Sequence, residues 1–247
     1  SMTTKVTYLD NSGFIVETDS LFLVFDYWRD PAHKVVKSLE HQPDKPVIFL
    51  VSHNHRDHFN PEIFNLGQNH RRVFVLSNDI ASNKIRSDMP VEWMSAGDIA
   101  ENLPGDITIH AYGSTDAGVS YVVQFKDGFT IFHAGDLNNW HWDEENTESE
   151  ARKAKEHFTN VINRIADDRH RFDIAFFPVD IRQGENCASG AEQFLDKFEV
   201  HNFFPMHFNG DFGRACDFEE YKLSDAAARR STLYCLHKPG QSIEIKL

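Results

Sequence analysis

The chain has 247 residues, of which 40% are hydrophobic and 26% charged, with 21 phenylalanines; this is a globular composition with enough length for a sizeable core, and it excludes a disordered chain. Thirty-eight acidic against 25 basic residues leave a formal charge of −13, and the basic pairs are scattered, which disfavours a nucleic-acid groove because phosphate binding needs clustered positive charge. No stretch reaches the roughly 18 apolar residues of a membrane span, and the opening SMTTKVTYLD lacks a basic segment followed by an apolar one, so neither a membrane segment nor a signal peptide is expected.

In chain order, the first 50 residues predict β structure: KVTYLD, then GFIVET after the turn Asn11-Ser12-Gly13, then LFLVFDYW. PVIFLVS at 46–52 is apolar on both faces, like a strand buried between two layers. A short helix over Pro61 to Asn69, a strand VFVLS, a helix over Asp79 to Arg86 and a strand VEWMS follow. From Gly105 the pattern repeats with strands ITIHAYG, VSYVVQF and FTIFHAG, the last two joined by a hairpin turn at Lys126-Asp127-Gly128. Ala151, Ala154, Phe158, Val161, Ile162 and Ile165 recur at spacings of three and four, predicting a long amphipathic helix from about Thr147 to Asp168. Then come FDIAFFPVD as a buried strand, a helix over Ala191 to Phe198, HNFFPMHF as a strand, a helix around Phe218 to Arg229, and closing strands STLYCL and SIEIKL. Two β-rich halves, about 1–104 and 105–247, with outer helices predict one domain of two sheets packed face to face and covered on both sides. Cys187, Cys216 and Cys235 are odd in number and lack CxxC spacing, so they are expected to be reduced, in a cytoplasmic setting. The sequence neither requires nor excludes a homo-oligomer.

The chemistry concentrates in FLVSHNHRDHFNPE, residues 49 to 62. His53, His55, Asp57 and His58 fall in six positions directly behind a buried strand. Two other predicted strands run into residues of the same chemistry, FTIFHAG into Asp136 and HNFFPM into His207. In α/β sheets ligands bind beyond the carboxyl ends of the strands, so these ends are expected to converge. Neutral imidazole nitrogens and carboxylate oxygens are the donors that zinc, manganese and iron accept, with a position left open for water in catalytic sites. The isolated histidines His33, His41, His70, His157, His170, His201 and His237 read as surface or core residues.

The spacing His53-x-His55-x-Asp57-His58 resembles the HxHxDH signature of the metallo-β-lactamase superfamily. YLDNSGFIVET, LFLVFDYW, HAGD and FFPMHF resemble further segments of that family, so the likeness covers nearly the whole chain and is nearest to the lactonase-like and metal-dependent hydrolase branches. The resemblance implies an α/β fold, a four-layer αββα sandwich of two mixed sheets, with one or two divalent ions, zinc first and manganese or iron next. It also implies that His53 and His55 hold a first metal, that Asp57, His58 and His207 hold a second, that Asp136 bridges both, and that Asp26 supports the ligands from behind. Asp57 or Asp136 would orient or deprotonate the attacking water. The family's third histidine for the first metal is missing: the loop after ITIHAYG reads GSTDAGVS, His110 comes about four residues too early, and Asp116 is the residue that could fill in. One firmly held ion is therefore expected, with a second weak or absent.

Trp140, His141 and Trp142 could stack on a substrate or form a lid, or pack under the long helix. His133 could serve the site or the core, and Arg182 could pair with a substrate carboxylate or phosphate, or form a structural ion pair. The reaction implied is hydrolysis of a small ester, lactone, amide or phosphoester. The alternatives are a phosphodiesterase or nuclease, and a non-catalytic metal-binding or redox protein on a degenerate scaffold. The partner expected is a small-molecule substrate, with no nucleic acid and no membrane.

Overall fold

The computed structural model describes residues 3–142, 145–208 and 230–246. The strands are β1 (Thr3–Asp10), β2 (Gly13–Glu17), β3 (Phe22–Phe25), β4 (Val47–Val51), β5 (Arg72–Ser77), β6 (Val91–Met94), β7 (Ile99–Leu103), β8 (Ile107–Tyr112), β9 (Ser120–Phe125), β10 (Thr130–His133), β11 (Arg171–Pro178), β12 (Glu199–Met206), β13 (Thr232–Leu233) and β14 (Ser242–Lys246). The helices are α1 (Lys34–His41), α2 (Glu148–Asp168) and α3 (Ser189–Lys197). Two seven-stranded sheets result, in the orders β14-β1-β2-β3-β4-β5-β6 and β13-β12-β11-β10-β9-β8-β7. Each has three antiparallel pairings at one end, running from β14 to β3 and from β7 to β10, and three parallel ones at the other.

Alternation along the strands builds the layers. In β4, Ile48 and Leu50 belong to the core shared with the second sheet, whereas Val47, Phe49 and Val51 belong to a second cluster with Val35 and Leu39 of α1. Each such side chain, withdrawn from water, contributes roughly 1.5–3 kcal/mol. Phe158, Ile162 and Ile165 of α2 and Phe194 and Leu195 of α3 join the other side of the main core. Helix α2 starts where its sequence dictates: the Thr147 hydroxyl accepts from Glu150 N, and the Glu150 carboxylate accepts from Thr147 N, a capping box. The expected αββα sandwich of two mixed sheets is the observed one.

Several local expectations change. The segments expected as helices at Pro61 to Asn69 and Asp79 to Arg86 form only short 3-10 turns, Pro61–Asn65 and Ser82–Lys84; at the first, Asn60 Oδ1 accepts from Glu62 N, and at the second no side chain among the described residues caps the turn, Asp79 accepting instead from Asn54 N. Helix α1 and strand β7 had no strong sequence signal. The halves also trade edge strands: β7 joins the second sheet although it precedes residue 105, and β14 returns to pair with β1, Thr3 opposite Lys246. The helix expected around Phe218 to Arg229 lies outside the described residues. Cys187 is buried and in no disulfide, but Cys235 is disulfide-bonded, so the expectation of three reduced cysteines is corrected; spacing along the chain does not report distance in the fold. No helix among the described residues is long and apolar enough to cross a membrane.

At the carboxyl ends of the central strands, polar bonds fasten one sheet to the other. Tyr121 Oη donates to Val51 O at 2.8 Å, His133 Nε2 to Ser12 O at 2.9 Å, and His207 N to Asn11 O at 3.1 Å. The site lies along this seam.

Candidate metal centre

Five strand ends deliver the site: β3 leads into Asp26, β4 into Ser52 and His53, β10 into Asp136, β11 into Asp180 and β12 into His207. Asp26 (φ 43°) and His207 (φ 66°) take left-handed conformations that non-glycine residues rarely adopt, a cost of order 1–3 kcal/mol each that the surrounding packing must hold in place. Gly135, in the HAGD turn, has φ +59°, and a Cβ there would meet Ser52 Cβ at 2.6 Å. Glycine is what lets the Asp136 turn press against the end of β4.

The expected residues converge. Asp136 Oδ2 stands 3.1 Å from His53 Nε2, while Asp136 Oδ1 stands 3.1 Å from His58 Nε2 and 3.3 Å from His207 Nε2. Asp57 Oδ2 lies 3.5 Å from His58 Nε2 and 4.0 Å from His207 Nε2. Two groups capable of holding a metal emerge, His53, His55, Asp116 and Asp136 in one and Asp57, His58 and His207 in the other, the chosen ligand atoms in each lying within 4.8 Å of one another. His53 Nε2, His58 Nε2 and Asp136 Oδ1 are buried and have no hydrogen-bond partner among the described residues. Leaving such atoms unsatisfied costs about 1–3 kcal/mol apiece, and a cation between them removes that cost. The residues present fit a divalent ion.

Partners behind the ligands fix the tautomers. Asp26, fully buried, accepts from Ser52 N, Ser52 Oγ and His58 Nδ1, each at 2.7 Å. Because the Ser52 hydroxyl proton goes to Asp26, its oxygen is left to accept from His53 Nδ1 at 2.8 Å. Asp180 accepts from His207 Nδ1 at 2.8 Å. All three rings thus carry their proton on Nδ1 when neutral and turn the Nε2 lone pair to the centre, the form that ligates a metal. Asn11 Nδ2 donates to Asp57 Oδ2 at 2.8 Å.

Charge is tightly coupled here. Burial alone would push the Asp136 carboxyl up, yet His58 and His207 hold it well below the usual carboxylate range. Burial likewise opposes charging His58, but Asp136 and Asp26 raise it well above an ordinary histidine, and Asp136 and Asp180 raise His207. Asp26 is held low by His58 despite burial, and Asp180, against the same burial penalty, falls to about 2 through hydrogen bonds from His207 and Arg182.

An open cleft of about 410 Å³ leads to the ligands, lined by His55, Asp57, Thr115, Asp116, Asp136, Trp140, Trp142, Arg182 and His207. Trp140 and Trp142 stack at 5.6 Å, Trp140 meets the His207 ring edge-on at 5.4 Å, and Trp140 Nε1 donates to Asp136 O at 2.8 Å. The tryptophans therefore form a wall of the cleft. His141, expected beside them, is not among the residues that line it. Arg182 reaches the cleft but grips Asp180 through Nε and Nη2 and lies 5.7 Å from the Trp142 ring. His133 is structural: fully buried, it donates from Nε2 to Ser12 O, accepts from Gly135 N at 3.1 Å and stacks on Phe25 at 4.8 Å, and burial depresses its pKa. His110 lies within β8, as expected.

Asp180 and Asn11 escaped the sequence reading. Asp180 had a signal, since it ends a buried strand as Asp26 and Asp136 do; Asn11, in a β-turn, had none.

Buried histidines and carboxylates at the carboxyl ends of strands, in an αββα sandwich, define a metal-binding protein of the metallo-β-lactamase type. Comparison with known proteins agrees. A family model described as the β-lactamase superfamily domain matches residues 5–152. A metal-dependent hydrolase of Nitratidesulfovibrio vulgaris is 28% identical over 146 residues, a match spanning 55% of this chain and 59% of that relative's length. One of Methanosarcina barkeri is 23% identical over 259 residues, covering 98% of each chain. The solved structure of a metallo hydrolase from the archaeon Ignicoccus hospitalis superposes with a TM-score of 0.69 at 18% identity, over 99% of both chains. The chain belongs to the metallo-β-lactamase superfamily.

Proposed function

We propose that the chain is a metal-dependent hydrolase acting on a small ester, lactone, amide or phosphoester. The observation that carries this reading is the convergence of His53 Nε2, His58 Nε2 and Asp136 Oδ1, buried and without hydrogen-bond partners among the described residues, at the floor of an open cleft. The names of the relatives support it in the same direction.

Asp57, His58, His207 and Asp136 would hold a divalent ion, zinc, manganese or iron, at the better-supported position. Such an ion lowers the pKa of its water to about 7 and polarises the oxygen under attack. The protein's own part follows from the geometry. Asp26 and Asp180 keep Nε2 of His58 and His207 aimed inward. The Asp57 side chain, 37% exposed and steadied through Oδ2 by Asn11, faces the cleft and can take a proton from the attacking water. Trp140 and Trp142 offer flat apolar surface against which a substrate can stack and exclude water. Arg182 stands at the same mouth, with Asp180 orienting its guanidinium.

The test is a panel of esters, lactones and phosphodiesters offered to the protein loaded with zinc or manganese, alongside His58→Ala and His207→Ala. Each substitution should abolish turnover while the far-ultraviolet circular dichroism stays that of the wild type. A near-wild-type rate in either variant would overturn the assignment.

A further inference from the structure

The loop between β8 and β9 is where this chain leaves the HxHxDH pattern it otherwise follows, reading GSTDAGV with no histidine. That loop is nevertheless pinned to the centre on both flanks. Gly118 (φ +80°) lies so close to the end of β4 that a Cβ would meet Ser52 O at 1.9 Å and His53 Cβ at 2.5 Å. No other residue fits there without displacing backbone. Next to it Val119 N donates to Ser52 O at 2.9 Å. On the other flank Thr115 Oγ1 donates to Asn138 O at 2.8 Å and accepts from Asn138 N at 3.0 Å, two residues beyond Asp136.

The residue held between these ties is Asp116. Its Oδ2 stands 3.7 Å from His55 Nδ1, too far for a hydrogen bond. Ligand atoms each about 2.0–2.2 Å from one ion lie roughly 3–4 Å from each other, so this separation suits donors sharing a cation. Into the same space points His53 Nε2, from a fully buried ring and with no hydrogen-bond partner among the described residues.

We propose that Asp116 replaces the absent histidine as a metal ligand, so that the centre holds two ions, the first on His53, His55, Asp116 and Asp136. This rests on the reading of the centre as a metal site and changes its character. Exchanging a neutral imidazole for a carboxylate gives the first position as many oxygen as nitrogen donors. Oxygen-rich sets shift preference from zinc toward harder manganese(II) and iron(II). The additional carboxylate also cancels one unit of positive charge, which weakens the pull on anionic substrates. With the His55 and Asp116 side chains 51% and 43% exposed, the first ion is reached directly from the cleft and exchanges more readily than the second.

The experiment is titration of the metal-free protein with manganese(II), following stoichiometry by equilibrium dialysis and ion pairing by electron paramagnetic resonance. Wild type, Asp116→Asn and Asp116→His are compared, with thermal melts of the metal-free forms as the check on folding. Wild type should take two ions with a spin-coupled spectrum. Asp116→Asn should keep one ion with an uncoupled spectrum and bind the other about tenfold or more weakly, since losing even an outer partner of a ligand costs about 10–100-fold. Asp116→His should recover two ions and, in zinc–manganese competition, favour zinc more than wild type does. If Asp116→Asn takes up two ions with wild-type affinity and the same coupled spectrum, or if both proteins bind only one, the inference fails and the hydrolase reading stands. Wild-type protein that retains neither manganese nor zinc would instead remove the metal-site reading itself.

Discussion

The two ligand groups differ in how they are supported. In the group of Asp57, His58 and His207 every ligand is backed: His58 by Asp26, His207 by the pair Asp180 and Arg182, and Asp57 by Asn11. His58 is fully buried and His207 nearly so. In the group of His53, His55, Asp116 and Asp136, among the described residues, only His53 is steadied by a buried partner that is not itself a ligand, the Ser52 hydroxyl, and His55 and Asp116 stand half in solvent. Ligand identity alone would make the groups equals. Their outer partners make one a rigid cage and the other a position completed at the surface of the cleft.

The comparison can be broken at its one shared support. Asp26 serves His58 directly and His53 through Ser52, so Asp26→Ala should strip both groups of metal. It should also lower the stability of the metal-free protein in urea by about 3–5 kcal/mol, the scale for a buried charge deprived of its partner. Retention of either ion at full affinity would show that the groups do not depend on it jointly. Gly118→Ala comes next, forcing a left-handed conformation and a collision with Ser52 O. About 1–3 kcal/mol of stability should go, together with the first group's ion, while the second stays. Asp180→Asn should do the reverse, weakening binding at Asp57, His58 and His207 by about 10–100-fold in metal titrations and sparing the first group.

The smallest effect is in pH. Asp180 drops from an ordinary 3.8 to about 2, so its contribution is whole above about 4 and is lost as pH falls toward about 2. His58 is raised above its ordinary 6.5, so its contribution is whole below 6.5 and fades as pH rises through the raised value. Metal-free protein should therefore be most stable between about pH 4 and 6.5 in denaturant titrations. Metal loading should shift that window upward, because ligating imidazoles must give up their protons. An unchanged window on loading would mean that His58 and His207 do not give up protons to the ion.

What could be read ahead of the structure was what is local. The HxHxDH spacing, the doubly apolar β4 run and the period of α2 are each written within a few residues, and the strand and the helix are found where expected. Asp136 and His207 were legible because each follows a strand whose pattern is unmistakable. Asn11 and Asp180 act on residues far along the chain, over separations of 46 residues for Asn11 to Asp57 and 27 for Asp180 to His207, and Gly118 acts across the seam between sheets, against Ser52. Nothing near them in the chain announces their partners.

The exchange of edge strands ties assembly of the centre to the distant end of the first sheet. Asn11 sits at the tip of the hairpin formed by β1 and β2, and the outer side of β1 is covered only by β14, with Val6 opposite Ile243. Until residues 242–246 arrive, β1 offers a row of unpaired amides and carbonyls to any passing strand. Pairings this remote in sequence close slowly. Aggregation during refolding should therefore be governed by the docking of β14, and a short peptide of the sequence SIEIK, added in excess, should compete for that open edge.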